Sequence, residues 1–263
     1  ILMLPAGSLE GKSKEGPNMR VDFETDVGAV RSSNQDSCDC GLFSPNSAWA
    51  IVCDGMGGAN GGNVASAVAV ETIRQQILSG FDENMSKPNL KNLMINAINR
   101  ANDAVYQMSL EQPDLRGMGT TVVLMIATKG TLHVAHIGDS RAYLRHDEIV
   151  SQITMDHSYV QDLVNFGQIT PEEARVHPKR NIITRVLGVH ELVSCDYAAW
   201  DFSPGDLAMA CSDGLSNYVD EDLLENYMER FGQEGHGLPQ ELIQYAVKCG
   251  GSDNITVAVI HNS

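Results

Sequence analysis

The sequence predicts an α+β fold in which strands arrive in runs and helices arrive in pairs. Three observations carry this. Stretches alternating with period two are joined by connections too short for crossover helices, and segments with three- and four-residue apolar spacing come two at a time. No repeating strand–helix unit is visible, which argues against a doubly wound parallel sheet.

Residues 1–18 have no periodicity and read as a disordered extension or cloning remnant ahead of Met19, a plausible natural start. Their Gly11-Lys12-Ser13 is not a phosphate loop, because Ala6 stands where that motif needs glycine and no strand precedes it. A single domain is expected over 19–263. From Val21 the pattern alternates, and Trp49 to Cys53 is a short apolar run stopped by Asp54-Gly55, as in a buried strand ending at a tight turn. A glycine-rich turn follows, then two amphipathic helices over 63–78 and 90–110. Over 119–153 the period switches to that of strands, with turns at Lys129-Gly130 and Gly138-Asp139-Ser140. Further strands are expected within 193–200, at 207–211 and at 255–260, and helices near 220–231 and 238–249.

A chain of 263 residues with 43% apolar content can bury a substantial core. Its formal charge of -16, from 34 acidic and 18 basic residues, argues against nucleic-acid or anionic-membrane partners. No stretch approaches the roughly 20 apolar residues that span a bilayer, and residues 1–5 are too short for a signal-peptide core, so a cytoplasmic monomer is expected. Cysteines 38, 40, 53, 195, 211 and 249 have neither zinc-site nor disulfide-framework spacing, Cys38-x-Cys40 being the one close pair. They read as reduced structural residues.

Four aspartates sit beside glycine or in turns at the ends of strand-like segments: Asp54-Gly55, Gly138-Asp139, Asp213-Gly214 and Gly251-Ser252-Asp253-Asn254. Asp36, in Asn34-Gln35-Asp36, makes a fifth. Singly they are ordinary turn residues. If these strand ends converge, however, the carboxylates repel unless they are protonated or bridged by cations. Oxygen-only donors select hard ions such as Mg2+ or Mn2+. Two such ions can activate a water and neutralise phosphoryl oxygens, so no protein nucleophile is needed.

At this point the sequence resembles the metal-dependent PPM (type 2C) protein phosphatases, especially their bacterial members, over nearly all of 19–263. The resemblance rests on ordered motifs: Thr25-Asp-Val-Gly28 with Arg31-Ser-Ser-Asn-Gln-Asp36, Val52-Cys-Asp-Gly-Met-Gly-Gly58, Gly117-Met-Gly-Thr-Thr121, Ala135-His-Ile-Gly-Asp-Ser-Arg141, Asp156-His-Ser158, His177-Pro-Lys-Arg-Asn181, Cys211-Ser-Asp-Gly214 and Asp253-Asn-Ile-Thr256. It implies a four-layer α-β-β-α sandwich with two central antiparallel sheets. It also implies hydrolysis of phosphoserine and phosphothreonine by a water between two Mn2+ or Mg2+ ions, in opposition to a bacterial Ser/Thr kinase and its substrates. By the same resemblance Asp54 would bridge the ions, the Gly55 carbonyl would ligate the second, and Asp213 and Asp253 would hold the first. Asp36 would act through metal-bound water, Asp139 with Asp213 would form a third, weaker site, and Arg31 would bind phosphate. Met56 stands where the animal-type pattern has a histidine that protonates the leaving group. His157 is then either an alternative acid or a structural residue beside the site. Residues 156–187 resemble the family's flap, a variable segment beside the cleft. Rival functions are a catalytically dead phosphopeptide-binding module and a hydrolase of nucleotides or small phosphate esters.

Overall fold

The computed structural model describes residues 18–232 and 237–263, with no side-chain description at residues 58–60 and 232. In chain order the elements are β1 (Met19–Asp26), β2 (Asp36–Ser44), β3 (Ser47–Met56), α1 (Gly58–Gly80), α2 (Lys87–Glu111), β4 (Gly119–Thr120), β5 (Val122–Thr128) and β6 (Thr131–Ile137). There follow β7 (Arg141–His146), β8 (Ile149–Gln152), α3 (Tyr159–Asn165), α4 (Pro171–Val176), β9 (Asp196–Asp201), β10 (Leu207–Cys211), α5 (Asp213–Ser216), α6 (Glu221–Gly232), α7 (Leu238–Lys248) and β11 (Ile255–Asn262). The expectations for 1–17 lie outside the described residues, whereas Asn18 already pairs with Ser263 beside the sheet edge.

One sheet has the order β1-β11-β10-β7-β8 and the other β2-β3-β5-β6-β9, with β4 attached to β3. Every pairing is antiparallel. Alternation along the strands builds three stacked cores. Ala48, Ala50 and Val52 of β3 face inward onto Ala208, Ala210 and Ala258 of the other sheet. Trp49, Ile51 and Cys53 face outward onto α1 and α2. Met209 and Cys211 of β10, with Val257 and Val259 of β11, turn outward onto α6 and α7. The small residues between the sheets let them pack closely, while both outer faces need helices to cover their larger side chains. The four-layer α-β-β-α sandwich follows from this arrangement.

Two boundaries differ from expectation. The glycine-rich segment after Met56 is the first turn of α1, which starts at Gly58 and not near 63. Glycine is needed there for close approach: a Cβ on Gly62 would lie 2.7 Å from the Gly55 carbonyl oxygen, and one on Gly61 3.0 Å from Met118 Cβ. The strand expected within 193–200 is β9, paired with β6 from Thr131↔Asp201 to His136↔Asp196. The segment 156–187 carries a helical hairpin: α3, capped by Ser158, and α4, opened by a Thr170/Glu173 capping box. Its two ends are tied together where Tyr159 N–H reaches the Ile182 carbonyl and Thr184 N–H that of His157.

Candidate metal centre

Asp36 and Asp54 are directly opposed on neighbouring strands β2 and β3, a like-charge pair that destabilises a sheet unless something offsets it. The remaining carboxylates come from the end of β6 (Asp139), the end of β10 (Asp213) and the start of β11 (Asp253). The two sheets thus bring all five together at one end of the sandwich. Burial first, then the charges of Asp36, Asp213, Asp139 and Asp253, push the Asp54 carboxyl well above the usual range. Burial raises Asp36 to about 7 against hydrogen bonds from Thr256 and Ser212. Burial, with Asp213 and Asp156, raises Asp139 to about 7. Asp213 is raised by burial and by Asp253.

The scaffold fixes these groups through polar contacts on other strands. Ser212 Oγ donates to Asp36 Oδ2 at 2.7 Å and accepts from Thr256 N–H, joining the two sheets behind the carboxylates. The Asp54 backbone is held at both ends: its N–H donates to Thr121 Oγ1 at 2.9 Å, and its carbonyl accepts from Thr120 Oγ1 at 2.9 Å. Thr121 Oγ1 in turn meets Ser140 Oγ at 2.7 Å, beside Asp139. Gly55 donates to the Gln35 carbonyl, and a Cβ there would fall 2.0 Å from the Gly62 carbonyl oxygen. Among these supports, the Ser212 and Thr120 side chains escaped sequence reasoning. The only available signal was their place inside the ordered motifs.

Arg31 donates from Nη2 to Asp253 Oδ2 at 2.7 Å, and the hydrogen bond and charge of Asp253 raise its pKa. Half of its side chain remains exposed (51%), leaving donors for an anion in front of the aspartates. Asp139 and Asp213 open onto a cleft of about 480 Å3 that is also lined by Ser158, Arg175 and Arg180 of the segment 156–187.

The donor set fits hard divalent cations. Asp36 Oδ1 and Asp139 Oδ1 are buried without a hydrogen-bond partner, and the five clustered carboxylates are near two guanidinium groups, Arg31 and Arg141, each already paired with an aspartate, Asp253 and Asp156. A divalent ion would supply both the missing partner and the missing positive charge.

His157 lies under the site and not in the cleft. It is 3% exposed. Its Nδ1 accepts the Gly138 N–H at 3.0 Å, and the His157 backbone N–H donates to the Gly138 carbonyl at 2.9 Å. Nε2 lies 3.3 Å from Asp196, which Arg185 also contacts at 2.7 Å. Burial holds this imidazole down to about 4, so it is neutral at physiological pH. Of the two expectations for His157, the geometry favours the structural one: it clamps Gly138-Asp139 against the base of the segment 156–187. Met56, 39% exposed, offers no proton. Among the described residues, no helix is long and apolar enough to cross a membrane.

Comparison with known proteins agrees with this geometry. Residues 29–244 match the family described as Protein phosphatase 2C. The serine/threonine phosphatase stp of Listeria monocytogenes is 34% identical over 92% of this chain and 95% of its own length. The serine/threonine protein phosphatase PstP of Mycobacterium tuberculosis is 37% identical over 92% of this chain and 44% of its own. The M. tuberculosis PstP/Ppp crystal structure superposes with a TM-score of 0.84 at 34% identity, covering 94% of this chain and 99% of that one. The PstP catalytic domain in complex with two manganese ions superposes at 0.80, with 33% identity, over 93% and 98% of the two chains. With matching sequence, fold and convergent aspartates, this chain belongs to the protein phosphatase 2C family.

Proposed function

We propose that this protein is a metal-dependent protein serine/threonine phosphatase, with phosphoproteins as substrates. The observation that carries the reading is the convergence of Asp36, Asp54, Asp139, Asp213 and Asp253 from both sheets, with orphaned buried oxygens, at the mouth of a cleft. Asp54 and the Gly55 carbonyl, with Asp213 and Asp253, would hold two Mn2+ or Mg2+ ions, with Asp36 acting through water beside them and Asp139 with Asp213 offering a third, weaker site. Such ions would lower the pKa of a water and neutralise phosphoryl oxygens.

The chain's own groups do the rest. Arg31, oriented by Asp253, takes phosphoryl oxygens through its free guanidinium donors and sets phosphorus in line with the water. Ser212, Thr120 and Thr121 keep the carboxylates from drifting apart under their mutual repulsion. With Met56 at the mouth and His157 buried and committed, the leaving alkoxide takes its proton from solvent in the cleft. The finer reading is a cytoplasmic monomer that reverses a bacterial Ser/Thr kinase, acting on the kinase and on its substrates. The relatives named as serine/threonine phosphatases support the phosphatase activity on which that reading is built.

The test is Mn2+-dependent release of phosphate from a phosphothreonine peptide by the intact protein, by Asp213→Asn and with chelator added. Turnover abolished by both changes is the expected result. Turnover indifferent to both overturns the mechanism, and peptide binding without turnover at saturating Mn2+ indicates a binding module. Faster turnover of nucleotides than of phosphopeptide indicates a small-molecule esterase.

A further inference from the structure

Arg31 rides on the connection between β1 and β2, where residues 29–33 are all exposed and Val30 is 69% exposed. A loop with so little burial does not hold a long side chain still by packing. Asp253 meets its guanidinium, and one amide ties down the loop that carries it. Asn254, 4% exposed at the head of β11, donates from Nδ2 to the Val27 carbonyl at 2.9 Å and to the Ser33 carbonyl at 3.0 Å. Its Oδ1 accepts the Gln35 N–H at 2.8 Å. One side chain therefore ties together the two stems of the loop, with both amide protons and the carbonyl oxygen satisfied. Further anchors are Ala29 N–H on the Gly251 carbonyl at 2.8 Å, on the same segment before β11, the Arg31–Asp253 contact itself, and Asn34 Nδ2 donating to Thr25 Oγ1 at 2.9 Å across the stems. Gly28, with φ +79°, lies so close that a Cβ would fall 2.1 Å from the Asp253 carbonyl oxygen.

We propose that Asn254 is a positioning residue for the substrate phosphate: by stapling the stems of the Val27–Ser33 loop it fixes where the Arg31 guanidinium meets the phosphoryl group. The inference rests on the phosphatase reading and deepens it. The Asn254 side chain hydrogen-bonds only to loop backbone and to none of the five aspartates, while its backbone N–H donates to Asp253 Oδ1 at 2.9 Å. Its effect passes through Arg31, so it belongs to phosphate binding and not to ion binding, although its neighbour is Asp253.

Four readouts on the Mn2+-loaded protein test this. Asn254→Ala and Asn254→Asp, the second conserving volume and the acceptor while losing both donors, are expected to raise KM for the phosphothreonine peptide and the inhibition constant of inorganic phosphate about tenfold, with kcat changed less than about threefold. For Asn254→Ala, calorimetric Mn2+ affinity is expected to stay within about twofold, since no ligand is removed and no charge is added beside Asp253. Trypsin cleavage after Arg31, followed by mass spectrometry, is expected to accelerate relative to cleavage elsewhere, because the loop opens without global unfolding. In an Arg31→Ala background, Asn254→Ala is expected to add less than about twofold, since the two act in series.

Full additivity with Arg31→Ala, unchanged cleavage at Arg31, or a fall in Mn2+ affinity with phosphate inhibition intact would each overturn the proposal. If Asn254→Ala does not fold, Asn254→Asp carries the readouts other than Mn2+ affinity. If the wild type lacks phosphatase turnover, the functional reading fails; cleavage at Arg31 and calorimetric binding of inorganic phosphate still decide the role of Asn254.

Discussion

At the residue scale, the centre sets stability against function. In the metal-free protein burial and four other carboxylates oppose the charge of Asp54, outweighing its attraction to Arg31. Asp54→Asn is therefore expected to raise the melting temperature of the chelated protein, while removing Mn2+ stabilisation and lowering turnover by about 10^3 or more. Differential scanning calorimetry with and without Mn2+ checks both; a lower melting temperature in chelator would show that Asp54 is already compensated. The cysteines differ by burial alone. Cys53 and Cys211 are fully buried and Cys249 is exposed, while burial pushes Cys38, Cys40 and Cys195 up to about 12. Iodoacetamide on the native protein is expected to label Cys249 well before any other, as read by peptide mass spectrometry.

At the element scale, the strands are held by turns of unequal quality. The β5–β6 turn places Lys129 and Gly130 at φ 50° and 68°, the left-handed pair that a two-residue hairpin demands, with glycine at the second position. The β7–β8 turn asks the same of Asp147 and Glu148, at φ 48° and 66°, without a glycine. Glu148→Gly is expected to stabilise the protein by up to about 1 kcal/mol, relief of left-handed strain exceeding the added unfolded-state entropy. Urea titration checks the sign. Ser212→Ala strips a hydrogen bond from buried Asp36 and another from Thr256 N–H, at an expected cost of about 2 kcal/mol. Much of this level was legible beforehand: period-two runs gave the strands and 3.6-period runs the four long helices. The start of α1 was not, because its glycines read as a turn until the opposing Gly55 and Met118 are known.

At the scale of the whole molecule, stability on the acid side depends on buried imidazoles. Burial lowers His133 and His157 to about 4, and His136 in the same direction. Each is neutral in the folded state, so the unfolded chain binds more protons between its ordinary pKa near 6.5 and the folded value. The contribution is full above about 6.5 and is lost as pH falls toward 4, by at most about 3 kcal/mol per imidazole. His133, 1% exposed and 2.6 Å from the Tyr197 hydroxyl, isolates the effect from the metal centre. His133→Gln is expected to flatten the loss of stability between pH 6.5 and 4 in urea melts; an unchanged slope would assign acid sensitivity elsewhere.

The sequence by itself determined the α+β class, the order of strands and helices, and the residue types that handle phosphate. Those follow from local periodicity and from the chemistry of aspartate and arginine, which need no partner to be read. Its ordered motifs also named Asp36, Asp54, Asp139, Asp213, Asp253 and Arg31. Only the tertiary structure decided that these aspartates meet, because Asp36 and Asp253 are distant in the chain and are joined through β2–β3 pairing and the face-to-face packing of two sheets. It also decided what supports them. A serine, two threonines and an asparagine are unremarkable as letters, and become the frame of the site once hydrogen bonds across strands give each a single partner set.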